Sequence, residues 1–194
     1  MTAEPHGRRR SATPDEHPAA PDGRSATPDE VQLVVRSPGG DHVTVPVRLL
    51  HPEARLPRRA YDRDAAFDLQ AAEDLTVAPL GRAVVGTGIA LGLPPGLAAL
   101  TLPRSGLAAR HGITLVNAPG LIDPGYRGEV RLILSNTDAH EPFAVHTGDR
   151  VAQLLFVTLP AVTLHEAAEL DATDRGEQGF GSSGRSAEGA GEGE

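Results

Sequence analysis

The apolar residues of this chain come in short runs, and turn formers cut every run off from the next. "VTVPVRLL", "LTVAPLGRAVVGTGIALGLP", "LAALTLP", "ITLVNAP", "GEVRLILSN", "EPFAVH" and "RVAQLLFVTLP" are separated by Gly, Pro, Asn and Asp. Runs of this kind read as β-strands. Many short strands at close spacing must protect their edges, and an antiparallel barrel or jelly roll does so. Aromatic content is only 3%, so the core has to be built from Val, Leu, Ile and Ala. The helix signal is sparse. "RSGLAARHG" (Arg104–Gly112) is expected to form one short helix, with Ser105 as N-cap and Gly112 past its end. "VQLVVRS" (Val31–Ser37) stands before a "PGGD" turn and reads either as an extra edge strand or as part of a loose tail.

A chain of 194 residues suggests one domain with appendages, long enough to bury a proper core. Residues 1–42 are expected to be an N-terminal extension, mostly disordered. They carry a copied heptad, "RSATPDE", at 10–16 and 24–30, but Pro14 and Pro28 rule out a coiled coil. The β domain is placed at 43–170, a Gly-rich segment at 171–184, and a flexible tail at 185–194. With no cysteine, disulfides, thiolate zinc sites and a cysteine nucleophile are excluded. All 18 basic residues are arginine, which removes the P-loop lysine and Schiff-base chemistry. A formal charge of −8 argues against direct nucleic-acid binding, which needs a basic footprint, but leaves room for an anionic small ligand where arginines converge. No apolar run reaches membrane-spanning length and no signal-peptide core is present, so the reading is a soluble, cytoplasmic protein with no membrane partner.

Five segments carry chemistry. "DRDAAFDLQAAEDL" (Asp62–Leu75) holds carboxylates that either bind a metal or are solvated, and its Asp68 lies between Phe67 and Leu69. "PRSGLA" (Pro103–Ala108) combines a helix start with Arg104, the Ser105 hydroxyl and the open backbone of Gly106; it suits a phosphate, or is a plain cap. "GLIDPGYRGEV" (Gly120–Val130) puts Asp123 and Tyr126 on one tight turn just after Asn117. There the acid is either a general base or an ordinary turn residue. In "GDRVAQLLF" (Gly148–Phe156), alternation puts Val151, Gln153 and Leu155 on one face, where the Gln153 amide needs a partner. "RGEQGFGSSG" (Arg175–Gly184) offers glycine backbone, Ser182 and Ser183 to phosphate oxygens and Phe180 to a base, or is a floppy linker. The 8 histidines form no metal set: "HEAAE" at His165 lacks the second histidine of a zinc-protease helix.

Taken in order, the five segments resemble the five ordered motifs of trimeric dUTP diphosphatases. The resemblance covers roughly Val43 to Gly184. It implies a distorted all-β jelly-roll barrel with one short helix, a homotrimer with shared active sites, and Mg2+-dependent hydrolysis of dUTP to dUMP and pyrophosphate. Carried over residue by residue, it implies that Asp123 activates the water that attacks the α-phosphorus. Tyr126 packs under the deoxyribose and excludes a 2′-hydroxyl. Asn117 and backbone groups of the hairpin at Leu121, Ile122 and Arg131 line the nucleoside pocket. Arg104, Ser105 and Gly106 hold the phosphates, and Gln153 contacts them from another subunit. Asp68 touches the magnesium shell through water. Segment 171–184 becomes a mobile lid, with Phe180 over uracil and Arg175, Ser182 and Ser183 on the terminal phosphate.

Three positions depart from the family pattern. Ala66 and Gln178 stand where Gly is usual, and Gln70 replaces a usual Tyr. Two other readings stay open on the sequence. One is a dCTP deaminase of the same fold, disfavoured by the Asp123–Tyr126 turn and the glycine-rich segment. The other is a non-catalytic nucleotide-binding regulator.

Overall fold

The computed structural model describes residues 30–36 and 42–177. Phe180, Ser182, Ser183 and the Gln178 departure lie outside those residues. Among the described residues there are twelve strands and one helix. The strands are β1 (Glu30–Arg36), β2 (His42–Leu49), β3 (Phe67–Gln70), β4 (Leu75–Val77), β5 (Arg82–Gly86), β6 (Ile89–Leu91) and β7 (Leu97–Leu102). After helix α1 (Ser105–His111) come β8 (Ile113–Leu115), β9 (Gly120–Ile122), β10 (Arg131–Asn136), β11 (Phe143–Val145) and β12 (Arg150–Thr158). The apolar runs of the sequence are therefore strands, as the turn formers between them require.

The strands pair antiparallel throughout, in four sheets ordered β3-β12-β7-β9, β5-β10-β8, β1-β2-β6 and β11-β4. The run at Val31–Ser37 is β1, an edge strand on β2 in a register that sets Val31 opposite Val47. β10 shows how alternation builds the core: Leu132, Leu134 and Asn136 are buried, Arg131 is exposed, and Ile133 and Ser135 lie between. Val45, Val47, Leu69, Val77, Val85, Leu91 and Leu154 complete the same aliphatic centre. Each fully buried Leu or Val contributes roughly 1.5–3 kcal/mol, which is how so few aromatic rings suffice.

Buried polar groups in this core are satisfied. Asn136 is 1% exposed; its amide donates to the carbonyls of Glu141 at 2.8 Å and Val77 at 3.3 Å, and its Oδ1 accepts the Asp138 N–H at 2.9 Å. The Thr87 hydroxyl donates to the Val130 carbonyl at 2.5 Å.

Two local expectations are corrected. Ser105 is not the helix N-cap. Arg104 holds that position in an extended conformation with no side-chain cap bond, so Ser105 is the first helical residue. The far end is as expected: Gly112 adopts the left-handed conformation (φ 64°) and its N–H closes on the Ala108 carbonyl. A Cβ there would also lie 2.6 Å from the Thr137 hydroxyl. The second correction concerns β12. Its pairing with β3 shifts between Arg150 and Ala152, so Val151 drops out of the simple alternation. Ala152 and Leu154 are buried, whereas Gln153 and Leu155 are half-buried. A bulge of this kind inserts one residue and re-aims the side chains beyond it.

Residues from Pro160 on form a second unit. Its described part, 160–177, has neither helix nor strand, and Val162, Leu164 and Leu170 are exposed. A turn at its end is closed by the Gly176 N–H on the Thr173 carbonyl at 2.9 Å.

The loop between β10 and β11 is held by Asp138, whose Oδ1 accepts the N–H groups of His140 at 2.8 Å and Glu141 at 3.0 Å. The Glu141 and His140 amides hold the Asp138 carboxyl below its ordinary value of 3.8. A carboxyl depressed on folding stabilises the fold above its unfolded pKa, and that contribution disappears as the pH falls through the lowered folded value. Replacing Asp138 with Ala is expected to lower the thermal midpoint most at neutral pH, with the gap to wild type closing below pH 3.8. Scanning calorimetry across pH checks this, and a gap that ignores pH would remove the ionised carboxylate from the explanation.

Candidate active site

Asp123 and Tyr126 share the turn that follows β9, and that turn is closed by the Tyr126 N–H on the Asp123 carbonyl at 3.0 Å. Arg127 locks it from behind, donating through Nη1 to the carbonyls of Pro124 at 2.6 Å and Tyr126 at 2.8 Å. The Tyr126 hydroxyl donates to the Glu129 carbonyl at 2.9 Å, which fixes the ring against the return of the chain. Gly128 is required beneath it, since a Cβ there would sit 2.5 Å from the tyrosine oxygen. Glu129 in turn accepts the Gly88 N–H at 2.8 Å, anchoring the base of the turn to the segment between β5 and β6.

These contacts frame a pocket of about 220 Å3, lined by Thr101, Asn117, Leu121, Ile122, Asp123, Tyr126, Glu129, Val130 and Arg131. Asn117, Leu121, Ile122, Asp123, Tyr126 and Arg131 were expected to form one site, and the fold brings them together. Asp123 is exposed at the pocket and Tyr126 is 47% exposed, so both acid and ring are available to a ligand. Gly120 opens the floor, because a Cβ there would collide with the Thr101 hydroxyl. Thr101 and Glu129 were not foreseen. Thr101 is recruited by the β7–β9 pairing that sets it opposite Gly120, a contact no local pattern announces.

A second group of site residues gathers around Asp68. Its carboxylate accepts Arg104 Nε at 3.2 Å on one oxygen and Arg150 Nη1 at 3.1 Å on the other. Arg104 Nη1 donates onward to the Arg150 carbonyl at 3.0 Å. Gln153 stands directly across from Asp68 in the β3–β12 ladder and across from Leu102 in the β12–β7 ladder. Side chains directly opposite in a ladder share a face. Asp68, Gln153 and the start of α1 thus follow one another across the sheet. Ser105 and Gly106 begin that helix, where first-turn amides lack intrahelical partners. Arg150 was missed as a site residue. The sequence signal was its place beside Asp149 at the head of β12, but its partner is 82 residues away.

Asp68 is 8% exposed. Leu80 is the single described non-glycine residue with positive φ, so Ala66 sits in backbone open to any residue. Among the described residues no group of three or more His, Cys, Asp or Glu could hold a metal ion. A site made wholly of protein ligands is therefore not formed by them. A magnesium ion that keeps its waters and rides on phosphates is bound through one or two carboxylates rather than by a full protein cage. Arg175 lies in the described part of the second unit and is exposed.

A family model described as dUTPase matches residues 52–184. The chain is 51% identical over 154 residues to a deoxyuridine 5′-triphosphate nucleotidohydrolase of Thermobifida fusca, covering 79% of this chain and 86% of that one. It is 48% identical over 147 residues to the enzyme of the same name from Corynebacterium glutamicum, covering 76% of this chain and 99% of the relative. Among solved structures, a mutant Staphylococcus bacteriophage 80alpha dUTPase with dUpNHpp superposes with a TM-score of 0.67 at 28% identity, covering 73% of this chain and 98% of that one. A mutant dUTPase from phage phi11 of S. aureus, described with a structural Mg(II) ion, gives 0.62 at 26% identity over 66% and 98% of the two chains. The match runs from the first residues after β2 through the glycine-rich segment, and the chain belongs to the dUTPase family.

Proposed function

We propose that this protein hydrolyses dUTP to dUMP and pyrophosphate, supplying dUMP and keeping uracil out of DNA. The observation that carries this reading is the hairpin pocket, in which Asp123, Tyr126 and Asn117 converge on one cavity in a chain of this family. The pocket accepts a pyrimidine nucleoside. Backbone groups at Leu121, Ile122 and Arg131, with the Asn117 amide, read the uracil edge, since uracil and cytosine exchange donor and acceptor there. Tyr126 lies under the deoxyribose and leaves no room for a 2′-hydroxyl; its bond to the Glu129 carbonyl keeps the ring from swinging aside.

Asp123 takes the proton of the attacking water. A positioned base contributes typically about 10²–10⁴-fold. Arg104, the Ser105 hydroxyl and Gly106 hold the phosphates, and Gln153 meets them as well. Ser105 suits this task because it is the first residue of the helix, where backbone amides lack intrahelical partners. Bound magnesium would offset the triphosphate charge and fix its geometry for in-line attack. Asp68 would reach its water shell. Arg175, Phe180, Ser182 and Ser183 close over the nucleotide. The reading places the enzyme in the cytoplasm, acting on free nucleotide. Among the described residues no helix is long and apolar enough to cross a membrane.

The hairpin pocket and the residues around Asp68 belong to different parts of one chain. None of Arg104, Ser105, Gly106 and Gln153 lines the hairpin pocket. That separation supports a homotrimer, in which the nucleoside pocket of one copy is completed by the phosphate-holding residues of the next.

Three measurements test the reading. With Mg2+, the pure protein is expected to release pyrophosphate from dUTP and not from dCTP, dTTP or UTP. Ammonia from dCTP without pyrophosphate would make it a deaminase, and binding of dUTP without any product would make it a regulator. Asp123→Asn is expected to lower kcat by about 10²-fold or more while leaving dUTP affinity within a few-fold; an unchanged rate removes Asp123 from its role. Truncation after Thr173 is expected to keep the assembled fold, judged by light scattering and thermal midpoint, and to lose most turnover. Full activity in the truncated protein would refute the closing segment.

A further inference from the structure

A second cleft, of about 370 Å3, opens beside β3 and apart from the hairpin pocket. Arg55, Arg58, Arg59 and Arg150 line it, with Asp68 and Gln70. Asp68 is its one acidic lining residue, and both carboxylate oxygens are already taken, by Arg150 inside the cleft and by Arg104 beside it. Arg55 faces Glu53 at 3.5 Å, but both side chains are more than half exposed, so solvent screens the pair. Arg58 and Arg59 make no ion pair with an acid among the described residues. Arg59 lies over the Phe67 ring at 4.3 Å, and its Nε is buried with no hydrogen-bond partner. Uncompensated positive charge is thus concentrated in one cavity of a chain whose formal net charge is −8.

The backbone joins the cleft to the sheet. The Asp68 N–H donates to the Arg58 carbonyl at 2.8 Å, so the arginine-bearing loop is stitched to β3. Arg55 Nη1 donates to the carbonyls of Pro52 and Ala54, each at 3.1 Å, and Arg59 rests on Phe67, so two of the guanidinia are placed before an oxyanion arrives to accept their paired donors. The buried Nε of Arg59 is a donor in want of an acceptor. No aromatic face lines the cavity for a base to stack on. The occupant is therefore a multiply charged inorganic anion rather than a nucleoside.

We propose that the Arg55–Arg58–Arg59–Arg150 cleft binds inorganic pyrophosphate, separately from the nucleoside pocket. The choice of pyrophosphate rests on the proposed reaction, which releases it. Asp68 joins the cleft to Arg104, so the cleft adjoins a residue proposed to hold the phosphates and lies apart from the hairpin pocket. Binding involves no covalent step.

The test is calorimetric titration of pyrophosphate into the full-length protein with Mg2+, saturated beforehand with a non-hydrolysable dUTP analogue so that the nucleotide site is filled. One pyrophosphate per chain is expected. Arg58→Ala should weaken binding at least tenfold and Arg58→Lys should recover part of the loss, with thermal midpoints confirming that both variants fold. Absence of binding to the loaded protein, or equal affinity in Arg58→Ala, overturns the proposal. Turnover of dUTP by the wild-type preparation separates the two readings. Pyrophosphate binding without turnover keeps the cleft and removes the reaction, whereas turnover without binding does the reverse.

Discussion

One buried carboxylate ties together three lengths of chain that are far apart in sequence. Asp68 comes from β3, Arg104 from the start of α1, and Arg150 from the head of β12, and both arginines end on the two oxygens of the acid. The Asp68 side chain is 10% exposed, against 26% for Arg104 and 48% for Arg150. An uncompensated carboxylate at that depth would cost several kcal/mol, so the acid holds its partners as firmly as they hold it. The Arg150 pair is the weaker of the two because its guanidinium is half in water. The bond from Arg104 to the Arg150 carbonyl closes the triangle and involves main chain as well as side chain. The direction in which α1 begins, and with it the placement of Ser105 and Gly106, depends on this arrangement.

What could be read from the sequence follows a simple physical division. Features set by neighbours along the chain were legible. Gly, Pro, Asn and Asp bounded the strands, Gly112 ended the helix through a left-handed backbone, and the hairpin pocket could be read because most of its lining falls within 117–131. Features set by pairing across the sheet were not. The bulge at the head of β12 leaves no mark in a run of apolar residues, so the alternation of Val151 with Gln153 looked intact. The expectation that Ser105 caps the helix followed residue preference. The fold instead uses Arg104, whose side chain is committed to Asp68. Thr101 and Arg150 enter their sites through partners on distant strands.

The two described departures from the family pattern, Ala66 and Gln70, fall away from the hairpin where Asp123 and Tyr126 stand. Ala66 occupies ordinary backbone, and the residue two positions on, Asp68, is buried between its arginines. Gln70 faces the arginine-lined cleft rather than the nucleoside pocket. A shorter, polar side chain there, where the family usually has Tyr, leaves room in that cleft and adds a group able to hydrogen-bond.

A composition with arginine and no lysine acquires meaning at this point. A lysine offers one compact charge whose three N–H donors diverge from a single nitrogen. A guanidinium presents five N–H donors along several edges. Arg104 spends Nε on Asp68 and Nη1 on the Arg150 carbonyl, and its Nη2 edge enters neither contact. The same side chain therefore serves as a strut in the fold while retaining donors that neither contact uses. Arg127 works similarly at the other site, with one nitrogen on two carbonyls of the Asp123–Tyr126 turn. Groups fixed in this manner during folding need not be ordered when a ligand arrives, and donors already aimed at a developing charge stabilise it most. Exchanging Arg104 for lysine would preserve the charge and lose this double use, since the donors of an ammonium all diverge from one nitrogen and cannot span the buried acid and the main-chain carbonyl as a planar fork does.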